Sequence, residues 1–553
     1  MGTPTFLGLS RELRDEIYGH YFRLEDGYWL NSDTSKFTSN EGTRIELDLR
    51  STNLQIAAET RGLALKNNEL HVNTCWEPWA NKRVGNYAYY LEELHRKRAT
   101  SLYYLSLQAE ALLRPEVFAR VKKHYAQFLP DLCSFKDSKY VAGHSRLWKK
   151  TPSTIRQFVK SELTYIVKET PSIGWANKLL THCVPDCEPW CVPTSESVEK
   201  MFLFMPDGLP DTHREAAAAA FWDGEKQRLS AASMAIRFLS QASQKTRLEI
   251  RKVVLHENRK SVAWPESHAR GLIQFCKENP NMRIERRVDL WRNAFPAGDL
   301  PLVKIPKYRN FRTMPTFTIS RSLVGWIMEA VILPSLGMPE NAFTLVLTDE
   351  PNQIMNAGVF DVAIEDAATQ AAFVRAARLP GGRFNTGRCE PGSDMPIVYD
   401  AQQWYEICKI PFIMDGFPEA IDAIRRNTSL VTCDFPITTL DESAHVQRFS
   451  EYLPINTSED LEKWSAAWKA RHTKTGFVPQ SPAPSWLELR NEDRVHPPQG
   501  PQSSGLSWSN QAFDRGDARR RELYDALMDE RWGKGWRDGV RAGRKRRRES
   551  AGT

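Results

Sequence analysis

Two short apolar runs with a helix-like segment between them constrain the fold of this chain more than any other feature. Val253–Leu255 are three apolar residues in a row, which is typical of a strand buried on both faces. Residues 267–279 then carry apolar side chains at helical spacing and end before Pro280. Residues 282–290 alternate between apolar and polar side chains. Strand, helix and strand in this order predict a parallel βαβ unit.

Other segments extend this pattern along the chain. Residues 229–241 and 323–336 show helical spacing, and residues 342–348 form another short apolar run. Residues 87–135 and 153–180 show helical spacing alone. We therefore predict a helix-rich, mixed α/β (or α+β) fold class. The predicted order is an N-terminal helical module at 1–75, a helical region at 76–225, a mixed α/β body at 226–475, a disordered Pro/Ser-rich linker at 476–512 and a basic, helical or disordered tail at 513–553.

The composition argues against two broad classes of protein. Hydrophobic residues make up 41% of the 553 residues, which is enough to bury sizeable cores and excludes a wholly disordered chain. The mean hydropathy is −0.50, and charged residues or prolines interrupt every long apolar run, so we expect no membrane contact.

Nine cysteines, an odd number, are typical of reduced thiols in the nucleus or cytoplasm.

Most of the excess positive charge lies at the C-terminal end. Residues 514–553 account for five of the net charge of +7, so the remaining chain has no strong field to attract nucleic acid. We do not expect nucleic acid as a main partner. A nuclear protein that contacts nucleic acid through this tail is the alternative. Short basic runs serve as nuclear import signals, and we predict one at Arg544, Lys545, Arg546, Arg547 and Arg548.

The first segment predicts an amphipathic helix over residues 9–22. Leu9, Leu13 and Ile17 recur every four residues, and Ser10 is suited to the N-cap. Such an apolar stripe is more often the core face of a helix than a binding surface.

Three further predictions cover the rest of the N-terminal module. Residues 31–42 are crowded with small polar side chains and predict turns. Residues 45–49 alternate and predict a short strand or an extended lead-in. Residues 52–65 predict a second helix, and Leu70 and Val72 predict a closing strand.

Two parts of this module resemble a known family. Residues 6–22 read FLGLSRELRDEIYGHYF, and residues 47–72 read LDLRSTNLQIAAETRGLALKNNELHV, with Glu59 and the pair Asn67–Asn68 ahead of the extended segment. They resemble the two halves of fungal F-box-like domains. Residues 230–291 are also similar to a block in large uncharacterised fungal proteins of this kind.

The resemblance implies an adaptor. In F-box proteins the helical domain docks on the Skp-type subunit of a cullin–RING ubiquitin ligase, and the remainder binds a protein target, which here is unknown. On this chain the resemblance implies docking through Leu9, Leu13 and Ile17. The chain departs from the family at Ser10, which stands where the family has proline, and in a polar insert between the two helices. A clear third helix is missing.

One loop carries candidate metal ligands. His182, Cys183, Cys187 and Cys191 lie close together in a Pro-rich stretch. Zinc takes four such ligands, but their crowding, with two of them adjacent, also suits free thiols. The three cysteines are therefore weak candidates for a metal site, and we predict no cofactor.

Catalytic motifs give no support for an enzyme. Lys260 stands where an H-E-x-x-H motif starting at His256 needs its second histidine, and no G-x-S-x-G is present. We therefore predict a non-enzymatic interaction scaffold, with an enzyme of unrecognised type as the alternative. Arg283, Arg286 and Arg287 are either an anion-binding patch or partners of neighbouring carboxylates.

Overall fold

A seven-stranded sheet organises the chain in this computed structural model. The structure describes residues 5–107, 115–128, 151–169, 187–203, 224–297, 314–348, 353–377, 413–437, 447, 458–472, 476–477 and 484–495. The sheet order is β2-β1-β3-β4-β5-β7-β8, and every neighbouring pair is parallel except β1 and β2. The strands are β1 (Tyr28–Asn31), β2 (Lys36–Thr38), β3 (Glu69–Asn73), β4 (Lys252–Glu257), β5 (Arg283–Asp289), β7 (Phe343–Thr348) and β8 (Val431–Cys433), while β6 (Met314–Pro315) pairs separately with β9 (Gly476–Phe477).

Helices connect and cover these strands. The α-helices are α1 (Arg11–Phe22), α2 (Leu54–Glu59), α3 (Leu63–Lys66), α4 (Asn81–Leu107), α5 (Pro115–His124), α6 (Pro152–Glu169), α7 (Ser195–Leu203), α8 (Ala231–Gln241), α9 (Gln244–Glu249), α10 (Ile273–Glu278), α11 (Phe295–Ala297), α12 (Thr316–Val331), α13 (Gln353–Ala377), α14 (Phe417–Arg425), α15 (Ser458–His472) and α16 (Trp486–Glu492). Short 3-10 helices span Phe6–Gly8, Asp48–Ser51, Pro78–Ala80, Ala126–Phe128, Pro265–Leu272 and Pro334–Leu336, and Leu290–Ala294 is a π-helical turn.

Strands β4 and β5 confirm the parallel unit that the apolar runs predict. Val253, Val254 and Leu255 are all buried, as expected for a strand covered on both faces. The connection consists of the 3-10 helix Pro265–Leu272 and α10, which ends two residues before Pro280. The predicted mixed α/β class is therefore confirmed, with a mostly parallel sheet.

Arg286, which interrupts the apolar alternation of β5, lies on the buried face of that strand. Its guanidinium donates to one oxygen of Glu257 at 2.6 and 3.0 Å and lies 4.8 Å from the centre of the Trp326 ring. Arg283 is exposed, and Arg287 pairs with two other carboxylates. The three arginines therefore do not form one anion-binding patch. Arg286 is buried against Glu257, Arg287 pairs with Glu285 and Asp434, and Arg283 bonds to backbone carbonyl oxygens.

The sheet crosses the boundary predicted at residue 75. Strand β3 pairs with β4 over the register from Glu69↔Lys252 to Asn73↔His256, although most of the helical region separates them in sequence. The segment predicted to be turns contains β2, and the strand β1 precedes it. Of the two alternatives predicted at 45–49, the strand is wrong, because residues 45–47 form none and lead into a 3-10 helix at Asp48–Ser51. Residues 1–75 therefore supply three strands to the common sheet.

The disordered linker predicted at 476–512 is wrong for residues 484–495. Helix α16 begins with a capping box, in which Ser485 and Glu488 each bond the other's backbone N–H. Leu489 is buried, and Asp493 accepts a hydrogen bond from Arg228 at 2.6 Å. This segment is therefore packed on the α/β body. The Ser-x-x-Glu spacing of Ser485 and Glu488 was the feature of the sequence that indicated a helix start here.

The helical region contains long helices, as predicted. Helix α4 packs against α6 and α7, and Tyr87, Tyr90, Leu91 and Met201 form a small apolar cluster. Among the residues that the structure describes, none of the helices is both long and apolar enough to cross a membrane. The tail predicted at 513–553 lies outside the described residues.

Candidate docking surface on the N-terminal helix

Helix α1 turns a different face to the interior from the one that its apolar spacing predicts. Leu13 and Ile17 keep 49% and 41% of their surface exposed, and Leu9 is half-buried. The alternative that these residues form a core face is therefore wrong for Leu13 and Ile17. The residues of α1 that are buried are Arg14, Tyr18 and Phe22.

The carboxylate of Glu59, at the end of α2, accounts for this rotation. Arg14 donates two hydrogen bonds to it at 2.7 and 3.0 Å, and the hydroxyl of Tyr18 donates a third at 2.7 Å. The Arg14 guanidinium is the main reason why the pKa of Glu59 falls to about 2, so the carboxylate is ionised at neutral pH. A two-point arginine–carboxylate pair has a narrow geometry. The helix therefore faces α2 with Arg14 and leaves Leu13 outside.

Asn68 fixes the other end of α1 to the sheet. Its side-chain amide donates to the carbonyl oxygens of Phe22 and Ala64 at 2.5 and 2.7 Å, and its oxygen accepts from the N–H of Leu24 at 2.8 Å. Because β3 begins at the next residue, this buried side chain joins the last turn of α1 to a strand. The unit is thus anchored at both ends.

A small apolar core lies between α1, α2 and α3. Tyr18, Phe22 and Ile56 are its buried members, and Phe6 meets the Tyr18 ring edge-on at 5.7 Å. Leu47, Leu49, Leu63 and Ala64 complete the cluster. Burial of this set holds the three helices together without using Leu13 or Ile17.

One row of exposed side chains on and just after α1 is apolar, among charged neighbours. We define the α1 stripe as Leu13, Ile17, Tyr21 and Leu24, each between 36% and 49% exposed. Eight large hydrophobic side chains are exposed in the described part of the chain, and six of them lie in the first 54 residues. Single exposed apolar residues are ordinary, whereas a group of them makes this surface a candidate for docking.

Comparison with family models, curated proteins and solved structures finds no match to this chain.

Only part of the cysteine loop lies among the residues that the structure describes. Cys187 and Cys191 are free, and burial raises the pKa of both thiols. No group of three potential metal ligands occurs in the described ranges, and His182 and Cys183 lie outside them.

The predicted nuclear-import signal also lies outside the described residues. It consists of Arg544, Lys545, Arg546, Arg547 and Arg548.

Residue spacing did not reveal the positioning roles of Arg14 and Glu59. Their contact spans 45 residues, and no local pattern predicts which carboxylate an arginine will meet. Arg14 and Tyr18 are four residues apart and therefore share one face of the helix, which was the only available signal. Glu59 and Asn68, both quoted in the resemblance, are the residues that tie this unit together.

Proposed function

We propose that this protein is a non-enzymatic interaction scaffold that docks a partner through the α1 stripe. The exposure of Leu13 and Ile17, on a helix whose neighbouring buried face is fixed by the Arg14–Glu59 pair, supports this proposal. Leu13 and Ile17 are already about half covered, so burying the remainder of each aliphatic side chain would contribute about 0.7–1.5 kcal/mol. A rigid apolar face needs little ordering when a partner binds, so more of that energy remains as affinity.

The partner that we propose is the Skp-type subunit of a cullin–RING ubiquitin ligase. The resemblance of residues 6–22 and 47–72 to fungal F-box-like domains supports this choice, and the exposed positions of Leu13 and Ile17 agree with it. Leu9 is half-buried and would contribute less. The remainder of the chain would then bind the protein target.

Strands β1 and β2 give this adaptor a particular geometry. They occupy the insert between α1 and α2, and β1 pairs with β3 in the common sheet. The α1 stripe is therefore attached to the α/β body through paired strands rather than through a free linker. A target bound by that body would be held at a set position relative to the ligase.

The test is direct binding between the purified full-length chain and a purified fungal Skp-type subunit, measured by biolayer interferometry. Leu13→Asp and Ile17→Asp should each weaken binding at least tenfold, about 1.4 kcal/mol, because a charge would be placed in an apolar interface. Both residues are exposed, so the thermal midpoint of unfolding should change little.

Leu248→Asp is the matched control, since Leu248 on α9 is a leucine that is 42% exposed. It should bind like the unmodified chain. Absence of binding by the folded full-length chain would contradict the ligase proposal. Equal losses in all three variants would show that binding is not made through the α1 stripe.

We further propose that the chain enters the nucleus through residues 544–548. The unbroken basic run in the sequence supports this. Replacing all five residues by alanine in a fluorescent fusion should abolish nuclear enrichment. The same replacement of residues 519–521, which are three consecutive arginines, is the control and should leave it unchanged. Equal nuclear fractions for both variants would refute the assignment.

A further inference from the structure

A half-open cavity of about 630 Å³ lies among the helices of the helical region and the sheet's connections. Its walls come from α4, α5 and α6, from the loop at residues 187–190 and from the 3-10 helix Pro265–Leu272. This volume is in the range of small-molecule sites, which is roughly 300–1,000 Å³.

The charged side chains that line the cavity are mainly cationic. Its described lining contains five basic side chains and one carboxylate, that of Glu188. Two of these cations are already paired, Lys160 with Glu188 at 3.4 Å and Arg120 with Glu162 at 3.2 Å. The basic residues are Arg98, Arg120, Arg156, Lys160 and Arg270. A concave site of low dielectric concentrates such a positive field on a small anion.

Arg156 on α6 has a donor with no protein partner. Its guanidinium lies 4.1 Å from the centre of the Trp264 ring. The Nη2 atom is buried and has no hydrogen-bond partner in the described part of the chain. Burial is the main reason why the pKa of Arg156 is lowered, and Arg270 acts in the same direction, whereas the carboxylates of Glu329, Glu266 and Glu92 raise it. Buried donors normally have a hydrogen-bond partner. An anion beside Arg156 and Arg270 would accept a hydrogen bond from this Nη2 atom and would reduce the repulsion between the two positive charges.

The backbone is strained where it places the Trp264 ring in this wall. Ala263 and Trp264 have φ values of 62° and 58°, in the left-handed region that non-glycine residues avoid. His268 holds this conformation, because its Nε2 lies 2.7 Å from the carbonyl oxygen of Ala263. Burial lowers the pKa of His268 to about 3, so the ring is neutral and Nε2 carries the donated proton.

A second indole lines the cavity at Trp190. A Cβ atom added to Gly271 would lie 2.5 Å from Cδ1 of this ring, so only glycine permits the close approach. Burial lowers the pKa of His95, also in the wall, to about 3, and this residue adds no charge. The lining therefore presents aromatic faces beside the arginines.

We propose that this cavity binds a small organic anion that carries both an aromatic ring and a phosphate, as a nucleoside monophosphate does. Arg156 and Arg270 bind the phosphate, and Trp264 or Trp190 stacks on the ring. The site is independent of the α1 stripe, since none of its lining residues belongs to the N-terminal unit.

The experiment is calorimetric titration of the full-length chain with adenosine 5′-monophosphate, adenosine and inorganic phosphate, each separately. The monophosphate should bind at least tenfold more tightly than either fragment, because both subsites are filled at once. Arg156→Gln should weaken its binding at least tenfold. Arg270→Gln should do the same and provides a second test if the first variant does not fold.

Arg283→Gln is the matched control, because Arg283 is exposed on β5 and, among the residues that the structure describes, bonds only to backbone carbonyl oxygens. Its affinity for the monophosphate should be unchanged. Phosphate binding as strong as the monophosphate would overturn the aromatic part of the site. No binding of the monophosphate, or unchanged binding by both folded cavity variants, would overturn the proposal as a whole.

Discussion

At the scale of single residues, buried polar side chains fasten the sheet to its helices. Glu257 ends β4 and is completely buried. It accepts hydrogen bonds from the N–H groups of Ala231 and Ala232 at the start of α8, at 3.1 and 3.2 Å, and from Arg286. One carboxylate therefore accepts hydrogen bonds from both a helix N-terminus and an arginine. The dipole of α8 also favours a negative charge at this position.

Arg286→Met should lower the free energy of unfolding by about 3–5 kcal/mol, because the Glu257 carboxylate would stay buried without its cation. Chemical denaturation of the full-length chain measures this. Adding Glu257→Gln to the same chain should recover part of the loss, since the uncompensated charge is then removed. A single variant as stable as the original chain would show that the pair is not structural.

A pair of histidines forms a second polar contact between strands. The Nδ1 of His71 lies 3.0 Å from the Nε2 of His256, and Trp29 stacks on both rings at 4.5 and 5.1 Å. Burial, and then the neighbouring His71, lowers the pKa of His256 from 6.5 to about 4. Both rings are therefore neutral at physiological pH.

This contact predicts an acid sensitivity. Between pH 6.5 and about 4 the unfolded chain takes up a proton that folded His256 does not, so the free energy of unfolding falls as the pH falls. The loss from this residue is up to ~3 kcal/mol. His256→Gln should flatten the pH dependence of unfolding over that interval, while His20→Gln at an exposed site should not. Identical pH profiles for the two variants would contradict the assignment.

At the scale of elements, the orientation of α1 depends on contacts made by its neighbours. The stripe at Leu13 and Ile17 has the spacing of a core face, but Glu59 and Asn68 hold the helix in another rotation. The apolar spacing alone predicts a helix at 9–22, and the structure confirms it from Arg11 to Phe22. Which face is buried is a tertiary property.

Asn68→Ala should destabilise this unit by about 1–3 kcal/mol, because the carbonyl of Phe22 and the N–H of Leu24 would lose a buried partner. Asn67→Ala is the matched control, since Asn67 is the adjacent asparagine and is exposed. Hydrogen exchange of the α1 amides should speed up in the first variant only. Equal exchange rates in both would show that Asn68 does not anchor the helix.

At the scale of the whole molecule, the sheet is assembled from distant parts of the chain. Strands β1 to β3 come from the first 75 residues, and β3 covers the edge of β4. One cluster of buried apolar residues extends from Tyr28 in β1 to Phe435 beyond β8. The N-terminal unit therefore shares its core with the body.

Deletion of residues 1–75 should consequently abolish cooperative unfolding or make the protein aggregate, because the apolar strand β4 becomes an open edge. Deletion of the predicted tail at 513–553 is the comparison and should leave the thermal midpoint unchanged. Differential scanning calorimetry distinguishes the two. A stable protein lacking residues 1–75 would mean that the N-terminal unit is an independent domain. Because the deletion is expected to unfold the protein, docking is better tested with point variants such as Leu13→Asp.

The chain's local patterns determined most of its elements. Continuous apolar runs identified β4 and β7, and helical spacing identified α1, α8 and α12, because these patterns record burial within a few residues. The helix α16 was missed although its capping box was readable, since proline and serine around it favoured a linker. The strand β1 is too short to show a period.

Only the tertiary structure decided which segments meet. The pairing of β3 with β4, the rotation of α1 by Glu59, the burial of Arg286 and the grouping of five cationic side chains around one cavity all join residues far apart in sequence. Such contacts depend on the path of the whole chain and on where each charge finds a partner. A local pattern contains no record of either, because it reports how deeply a side chain is buried and not which residues surround it.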